Sequence, residues 1–76
     1  MAVTFDLGMV LKYYTYVREK GEATRGLQKA MDEFNIEEAI KKAEKVAGSE
    51  DVFVVPCLTG KGRKIEIEGI VFVEVC

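Results

Sequence analysis

Apolar residues recur with helical spacing through the first part of the chain. Between residues 6 and 20 they occupy one buried stripe at i, i+3, i+4 and i+7 spacing, formed by Leu7, Val10, Leu11, Tyr14 and Val17. Thr4 or Asp6 is the expected N-cap of this helix, and Gly21 is its expected end. A second helix is predicted over residues 23–34, with an inner face of Leu27, Ala30, Met31 and Phe34.

The clearest helix boundary is the capping box Asn35-Ile36-Glu37-Glu38. In this motif the Asn35 side chain accepts a hydrogen bond from the backbone amide of Glu38, and the Glu38 carboxylate reaches back to the cap. The motif predicts a third helix that extends to about Ala47 and ends at Gly48. This helix is expected to pack inward through Ile36, Ala39, Ile40, Ala43 and Val46.

The hydrophobic period changes to two after Asp51, which predicts β-strands. Two runs, 52–58 and 64–76, flank the loop 59–63 and are expected to pair as an antiparallel hairpin. In the favoured register Leu58 faces Ile65, Pro56 faces Ile67, Val54 faces Gly69 and Val52 faces Val71. Pro56 favours an edge position for the first run. Residues 73–76 extend beyond that run, and residues 2–5 could supply a third strand beside them.

The predicted fold class is α+β, as a single domain over residues 1–76. Three N-terminal helices pack on one face of a C-terminal antiparallel β-hairpin, with a three-stranded sheet that includes residues 2–5 as an open alternative. The helices are expected to cover Val52, Val54, Leu58, Ile65, Ile67, Val71, Val73 and Val75. The outer face is expected to carry solubilising glutamates, Glu66, Glu68 and Glu74, and an apolar patch of Phe53, Val55, Ile70 and Phe72. Such a patch needs a cover, which a second copy of the chain or another protein would supply.

Composition narrows the classes of function. The chain has 76 residues, a net charge of −2 and no histidine, which excludes a histidine general base or triad. Its N-terminal stretch carries Asp6, Lys12 and Arg18, which predicts neither a signal peptide nor a membrane span, and a cytoplasmic location is expected. No nucleophile, base and oxyanion donor can be assembled, so no enzyme activity and no cofactor are predicted.

The two cysteines, Cys57 and Cys76, form no CxxC motif, and a Cys/His zinc site within one chain is excluded. In the predicted hairpin Cys57 faces Glu66 and lies about ten residues, or ~33 Å, along the strand from Cys76. Free, partly buried thiols are therefore expected, with an intermolecular contact at Cys76 as the open alternative.

Positive charge is concentrated in the loop Gly60-Lys61-Gly62-Arg63-Lys64. Two glycines would let main-chain amides turn toward a phosphate while the three cations neutralise it. The alternative is a solvated hairpin tip whose charges discourage strand aggregation. Lys41, Lys42 and Lys45 add positive charge on the third helix, interleaved with glutamates that predict i, i+4 ion pairs and a solvated face.

The order of these features resembles a winged helix-turn-helix over residues 23–68. The resemblance rests on the frame Leu27, Ala30, Phe34, Ile36, Ile40, Ala43, Val46 and Gly48, followed by the basic segment 60–67 as a wing. It implies duplex DNA binding, with helix 36–47 in the major groove and the wing on the backbone.

Two functions are therefore expected. The first is a small nucleic-acid-binding regulator that uses Lys41, Lys42, Lys45, Lys61, Arg63 and Lys64. The alternative is a non-enzymatic protein-interaction module or homodimer that uses Phe53, Val55, Ile70 and Phe72. No metal ligands are predicted for either.

Overall fold

A computed structural model describes residues 2–76 and shows an α+β domain with three helices and a four-stranded mixed sheet. The elements in chain order are β1 (Val3–Thr4), α1 (Leu7–Glu19), α2 (Leu27–Asp32), α3 (Ile36–Ala47), β2 (Val52–Val55), β3 (Lys64–Ile67) and β4 (Ile70–Glu74). In this described part of the chain, the helices are too short or too polar to cross a bilayer.

The predicted caps of the first and third helices are confirmed. The Asp6 side chain accepts from the Met9 amide at 3.2 Å, and the Asn35 side chain accepts from the Glu38 amide at 3.1 Å. The Glu38 carboxylate instead lies 3.6 Å from the Lys42 ammonium, one turn further along α3. The second helix is shorter than predicted, with six residues from Leu27 to Asp32, and its N-cap residue Gly26 offers no side-chain hydrogen bond.

The predicted hairpin between residues 52–58 and 64–76 is wrong. The strand order is β1-β2-β4-β3, and β2 pairs with β4 in parallel, with Phe53 opposite Phe72. The antiparallel hairpin joins β3 to β4 through Glu68 and Gly69, which both have positive φ, 52° and 81°. The run 64–76 therefore contains its own turn, and this turn leaves the second edge of β4 open to β2.

Residues 2–5 do supply a strand, but β1 pairs in parallel with β2, with Val3 opposite Val52, rather than with the end of the last strand. β2 consequently lies between β1 and β4, so the predicted edge position of the first run is also wrong. Pro56 follows directly after β2 and is fully buried, where its missing amide removes no ladder bond within the strand.

Helices cover both faces of the sheet, which corrects the prediction that all three lie on one face. On one face, α3 packs Ala39, Ala43 and Ala47 against Val52, Val54 and Val73. On the other face, α1 packs Val10, Tyr13 and Val17 against Val55, Leu58, Ile67 and Phe72. The strand runs VFVV and IVFV are apolar at successive positions because central parallel strands are buried on both sides.

Candidate functional site

The predicted protein-interaction patch is the floor beneath α1. Val55 and Phe72 are fully buried, and Phe53 and Ile70 are partly buried hydrophobic residues packed against the same cluster. The apolar patch is covered, but the covering element is α1 of the same chain. Val55 and Phe72 are therefore not accessible to a second copy or another protein, and only Phe53 and Ile70 of this set keep partly exposed surface.

The basic loop is bound to an acidic residue of its own chain. The Arg63 guanidinium contacts both carboxylate oxygens of Glu22 at 2.7 Å, and the Lys61 ammonium lies 3.0 Å from the same carboxylate. The hydrogen bond from Arg63, followed by that from Lys61, lowers the pKa of Glu22. The loop is a crossover connection between β2 and β3, so its charges do not form the tip of a hairpin.

The remaining predicted cations lie elsewhere. Lys64 pairs with Glu50, which follows α3, and Lys42 pairs with Glu38 within α3. Lys41 and Lys45 are exposed, and residues 2–76 provide no ion pair for either of them. Lys61 and Arg63 therefore share the carboxylate of Glu22, whereas Lys64 pairs with Glu50 elsewhere on the surface.

The two cysteines form a disulfide, which overturns the prediction of free thiols. Their Cα atoms lie 4.8 Å apart, although 19 positions separate them in the sequence. The parallel register explains this, since the offset that places Phe53 opposite Phe72 also brings Cys57 to Cys76. The Val75 amide donates to the Val55 carbonyl at 3.2 Å and carries the pairing up to the disulfide.

Glu74, next to the disulfide on β4, is a candidate functional residue that the sequence pattern did not indicate. It was expected on a solvated face, yet it is 2% exposed. Its Oε2 accepts from the Thr59 and Gly60 amides, both at 3.0 Å, and its Oε1 accepts from the Thr59 hydroxyl at 2.7 Å. Its Oε2 also lies 3.6 Å from the Cys76 Sγ. The carboxylate therefore holds the loop after β2 by hydrogen bonds and lies beside the sulfur pair.

Tyr13 is a further hydrogen-bond partner of the Glu74 carboxylate, and it lies on α1, the helix that covers this face of the sheet. It is fully buried on α1, and its hydroxyl donates to the Glu74 Oε1. Burial, and next the hydrogen bond to Glu74, raise the pKa of Tyr13 to about 12. Tyr13 is consequently a protonated donor across the physiological pH range.

The loop 59–63 wraps closely around the disulfide. The Glu74 amide donates to the Arg63 carbonyl at 2.8 Å, which fixes the loop along the end of β4. Gly62 has a φ of 58°, and a Cβ at this position would lie 3.8 Å from the Cys76 Sγ. Glycine permits the positive φ, whereas the distance to the sulfur is an ordinary van der Waals contact that a Cβ could make.

A cavity of about 320 Å³ opens beside the disulfide. Cys57 and Cys76 border it, and α3 contributes Asn35, Glu38 and Lys42. It lies at the carboxyl ends of the parallel strands β2 and β4 and at the N-terminal end of α3. Open sheets commonly bind ligands at this edge, and the volume suits a small molecule.

A sequence signal for the disulfide does exist. Residues Phe53-Val54-Val55-Pro56-Cys57 and Phe72-Val73-Glu74-Val75-Cys76 share the pattern Phe-Val-x-x-Cys. Two strands that pair in parallel with the phenylalanines opposite each other place the cysteines side by side. The pattern becomes informative only when the pairing is known to be parallel.

Comparison with known proteins found no matching family profile, curated protein or solved structure. The function of this site therefore has to be inferred from its geometry.

Proposed function

We propose that Cys57 and Cys76 are a redox-active pair that exchanges with low-molecular-mass thiols entering the adjacent cavity. The observation that carries this proposal is the position of the disulfide, which forms part of the wall of a cavity of about 320 Å³ instead of being enclosed in the core. Cys76 is exposed and Cys57 is partly buried, so an incoming thiol can reach the sulfur pair.

The exchange would run in two balanced steps. An incoming thiolate attacks one sulfur, forms a mixed disulfide and releases the other cysteine as a thiolate. A second external thiolate then attacks the mixed disulfide, so that a small-molecule disulfide departs and the protein keeps two thiols. Two electrons pass from two external thiols to the protein.

The direct test is an equilibrium titration of the folded protein in mixtures of reduced and oxidised glutathione. Acid quenching, alkylation and intact mass would report the fractions of disulfide, mixed disulfide and dithiol. A redox-active pair should pass from disulfide to dithiol as the mixture becomes more reducing, with its secondary structure retained. A disulfide that yields only after the chain is unfolded by urea would instead be a structural crosslink, and the proposal would fail.

Lys42 offers a matched comparison for the cavity. It lines the cavity, whereas Lys41 is an exposed neighbour on the same helix outside it. If anionic thiols enter through the cavity, Lys42→Ala should slow reduction by glutathione more than Lys41→Ala does. Equal rates in the two variants would place the attack outside the cavity.

The second candidate is nucleic-acid binding of the winged-helix type, and the exposed Lys41 and Lys45 on α3 are the observation that favours it. The ion pairs of Lys61 and Arg63 with Glu22 argue for α3 over the loop as the contact. Fluorescence anisotropy of a labelled duplex would test this, with Lys41→Ala/Lys45→Ala compared with Lys61→Ala/Arg63→Ala. Binding that falls with salt and is lost in the α3 variant would support it. No binding at low salt would refute it.

A further inference from the structure

We infer that the reduced form of this protein is a zinc site in which Cys57, Cys76 and Glu74 are the protein ligands. The inference concerns the dithiol state of the pair in the proposed exchange, and it rests on that function only in needing the same two sulfurs to be reducible. The Sγ atoms of Cys57 and Cys76 and one carboxylate oxygen of Glu74 all lie within 4.8 Å of one another.

These distances suit a small ion once the disulfide opens. Ligand atoms around a tetrahedral zinc lie about 3.5–3.8 Å apart, given Zn–S bonds of about 2.3 Å and Zn–O bonds of about 2.0–2.2 Å. The Glu74 Oε2 already lies 3.6 Å from the Cys76 Sγ. Metal binding therefore requires the two sulfurs to separate after reduction and the carboxylate to bring its free oxygen within bonding distance of the same ion. The exposure of Cys76 leaves space for its side chain to move toward the cavity.

The carboxylate can accept a metal ion while it keeps most of its hydrogen bonds. Glu74 has about four acceptor positions. Two are used by the Thr59 and Gly60 amides and one by the Tyr13 hydroxyl, all of which are held by the fold. The Thr59 hydroxyl lies 2.7 Å from Oε1 and 2.9 Å from Oε2, and it is a donor that can rotate away. Because both amides donate to Oε2, its rotation would open a position on Oε1. The remaining donors would orient the ligand, as outer hydrogen bonds do in metal sites.

The donor set selects the kind of ion. Two thiolates favour Zn²⁺ over Mg²⁺ or Ca²⁺, which prefer oxygen ligands throughout. Three protein ligands leave one coordination position, and the adjacent cavity would let water or a small ligand occupy it. The chain has no histidine, and the proposed site uses a buried carboxylate as its third ligand.

Zinc binding and the disulfide form of the cysteine pair would then exclude one another. Two thiols bind one Zn²⁺ with release of two protons, giving a zinc dithiolate. Oxidation of that dithiolate by a small-molecule disulfide such as oxidised glutathione forms the Cys57–Cys76 bond, releases two external thiolates and frees the ion. The same pair of sulfurs cannot be a disulfide and two zinc ligands together.

Cobalt(II) is the probe for this site, since thiolate and tetrahedral coordination give it characteristic near-ultraviolet and visible absorption bands. The chain is reduced with a phosphine, which adds no competing thiol, and complete reduction is verified by thiol titration. We expect one cobalt per chain with thiolate bands, displacement by Zn²⁺, and no bands from the oxidised chain. Their absence from a folded, fully reduced chain would overturn the inference.

The variant Glu74→Gln tests the third ligand, and Glu66→Gln on β3 is the matched control. We expect the first to weaken cobalt binding at least about 10-fold and the second to leave it unchanged. If Glu74→Gln fails to fold, Thr59→Val removes the rotatable donor instead and should leave the affinity equal or greater. Unchanged binding in folded Glu74→Gln, or weaker binding in Thr59→Val, would overturn the role of the carboxylate.

The outcome is separable from that of the exchange proposal. Glutathione equilibration without metal measures the exchange alone, and phosphine reduction bypasses it. A chain that resists glutathione but binds cobalt after phosphine reduction would refute the proposed function and keep the zinc site. A chain that exchanges readily with glutathione but binds no cobalt would support the proposed function and refute the zinc site.

Discussion

At the scale of single residues, the centre of the molecule is organised by one buried carboxylate. Removing Glu74 from water is costly, and the structure compensates with donors from α1 and from the loop after β2. The sequence placed Glu74 on the same face as Phe72 correctly, since the two are separated by one strand period. It could not show that α1 would cover that face, so it assigned Glu74 to solvent.

The hydroxyl of Tyr13 should matter for stability because it is a buried partner of Glu74. We expect Tyr13→Phe to lower the free energy of unfolding by about 1–3 kcal/mol, since it deprives a buried carboxylate of a donor. Tyr14→Phe is the matched control, because within residues 2–76 its hydroxyl accepts a hydrogen bond from the Arg18 guanidinium at an exposed position. That change should cost less than about 0.5 kcal/mol. Urea denaturation with the disulfide intact would compare them, and equal losses would contradict this role for Tyr13.

The ion pairs of Glu22 predict a dependence of stability on pH. Because Arg63 and then Lys61 lower its pKa in the folded state, Glu22 stabilises the fold above its unfolded pKa. This contribution should be lost as pH falls through the lower, folded pKa. Thermal unfolding from neutral to strongly acidic pH should therefore show a gap between wild type and Glu22→Gln that closes in acid. Glu19→Gln on α1, which removes an exposed carboxylate, is the matched control and should track the wild type. A constant gap would count against the linkage.

At the scale of elements, the local sequence correctly indicated where a helix begins when a side chain caps that helix. The Asp6 and Asn35 caps form as predicted, because the distances between cap and first turn are fixed by helix geometry alone. The turn at Glu68 and Gly69 was missed because the run 64–76 is apolar enough to be taken for one strand. The loop 59–63 has a stronger turn composition, yet it forms a crossover connection.

The cap of α3 provides a test at this scale. We expect Asn35→Ala to lower stability by about 1 kcal/mol, since the Glu38 amide loses its acceptor. Asn35→Asp should be nearly neutral, because aspartate caps about as well. Denaturant unfolding would measure both, and a loss in Asn35→Asp as large as that in Asn35→Ala would mean that Asn35 acts through the cavity it lines rather than as a cap.

At the scale of the whole molecule, the disulfide closes a chain segment that contains the crossover loop and the β3–β4 hairpin. We expect Cys57→Ser/Cys76→Ser to remain folded, since helices still pack on both faces of the sheet. Its free energy of unfolding should fall by about 3 kcal/mol, mainly because the unfolded chain is no longer constrained. Matching urea curves for the variant and the oxidised wild type would show that the crosslink adds nothing to stability.

The sequence by itself determined the α+β class, two of the three helices, the Asn35 cap and the apolar strand runs, and it left a strand within residues 2–5 as an open alternative. These follow from spacing and capping, which act between residues close in the chain. Only the tertiary structure decided that β2 and β4 pair in parallel, that α1 and α3 cover opposite faces, and that Cys57 meets Cys76 beside a buried Glu74. The physical reason is that alternating strands offer two similar apolar faces and several registers. Which of these forms depends on contacts between residues far apart in the chain, which local pattern does not encode.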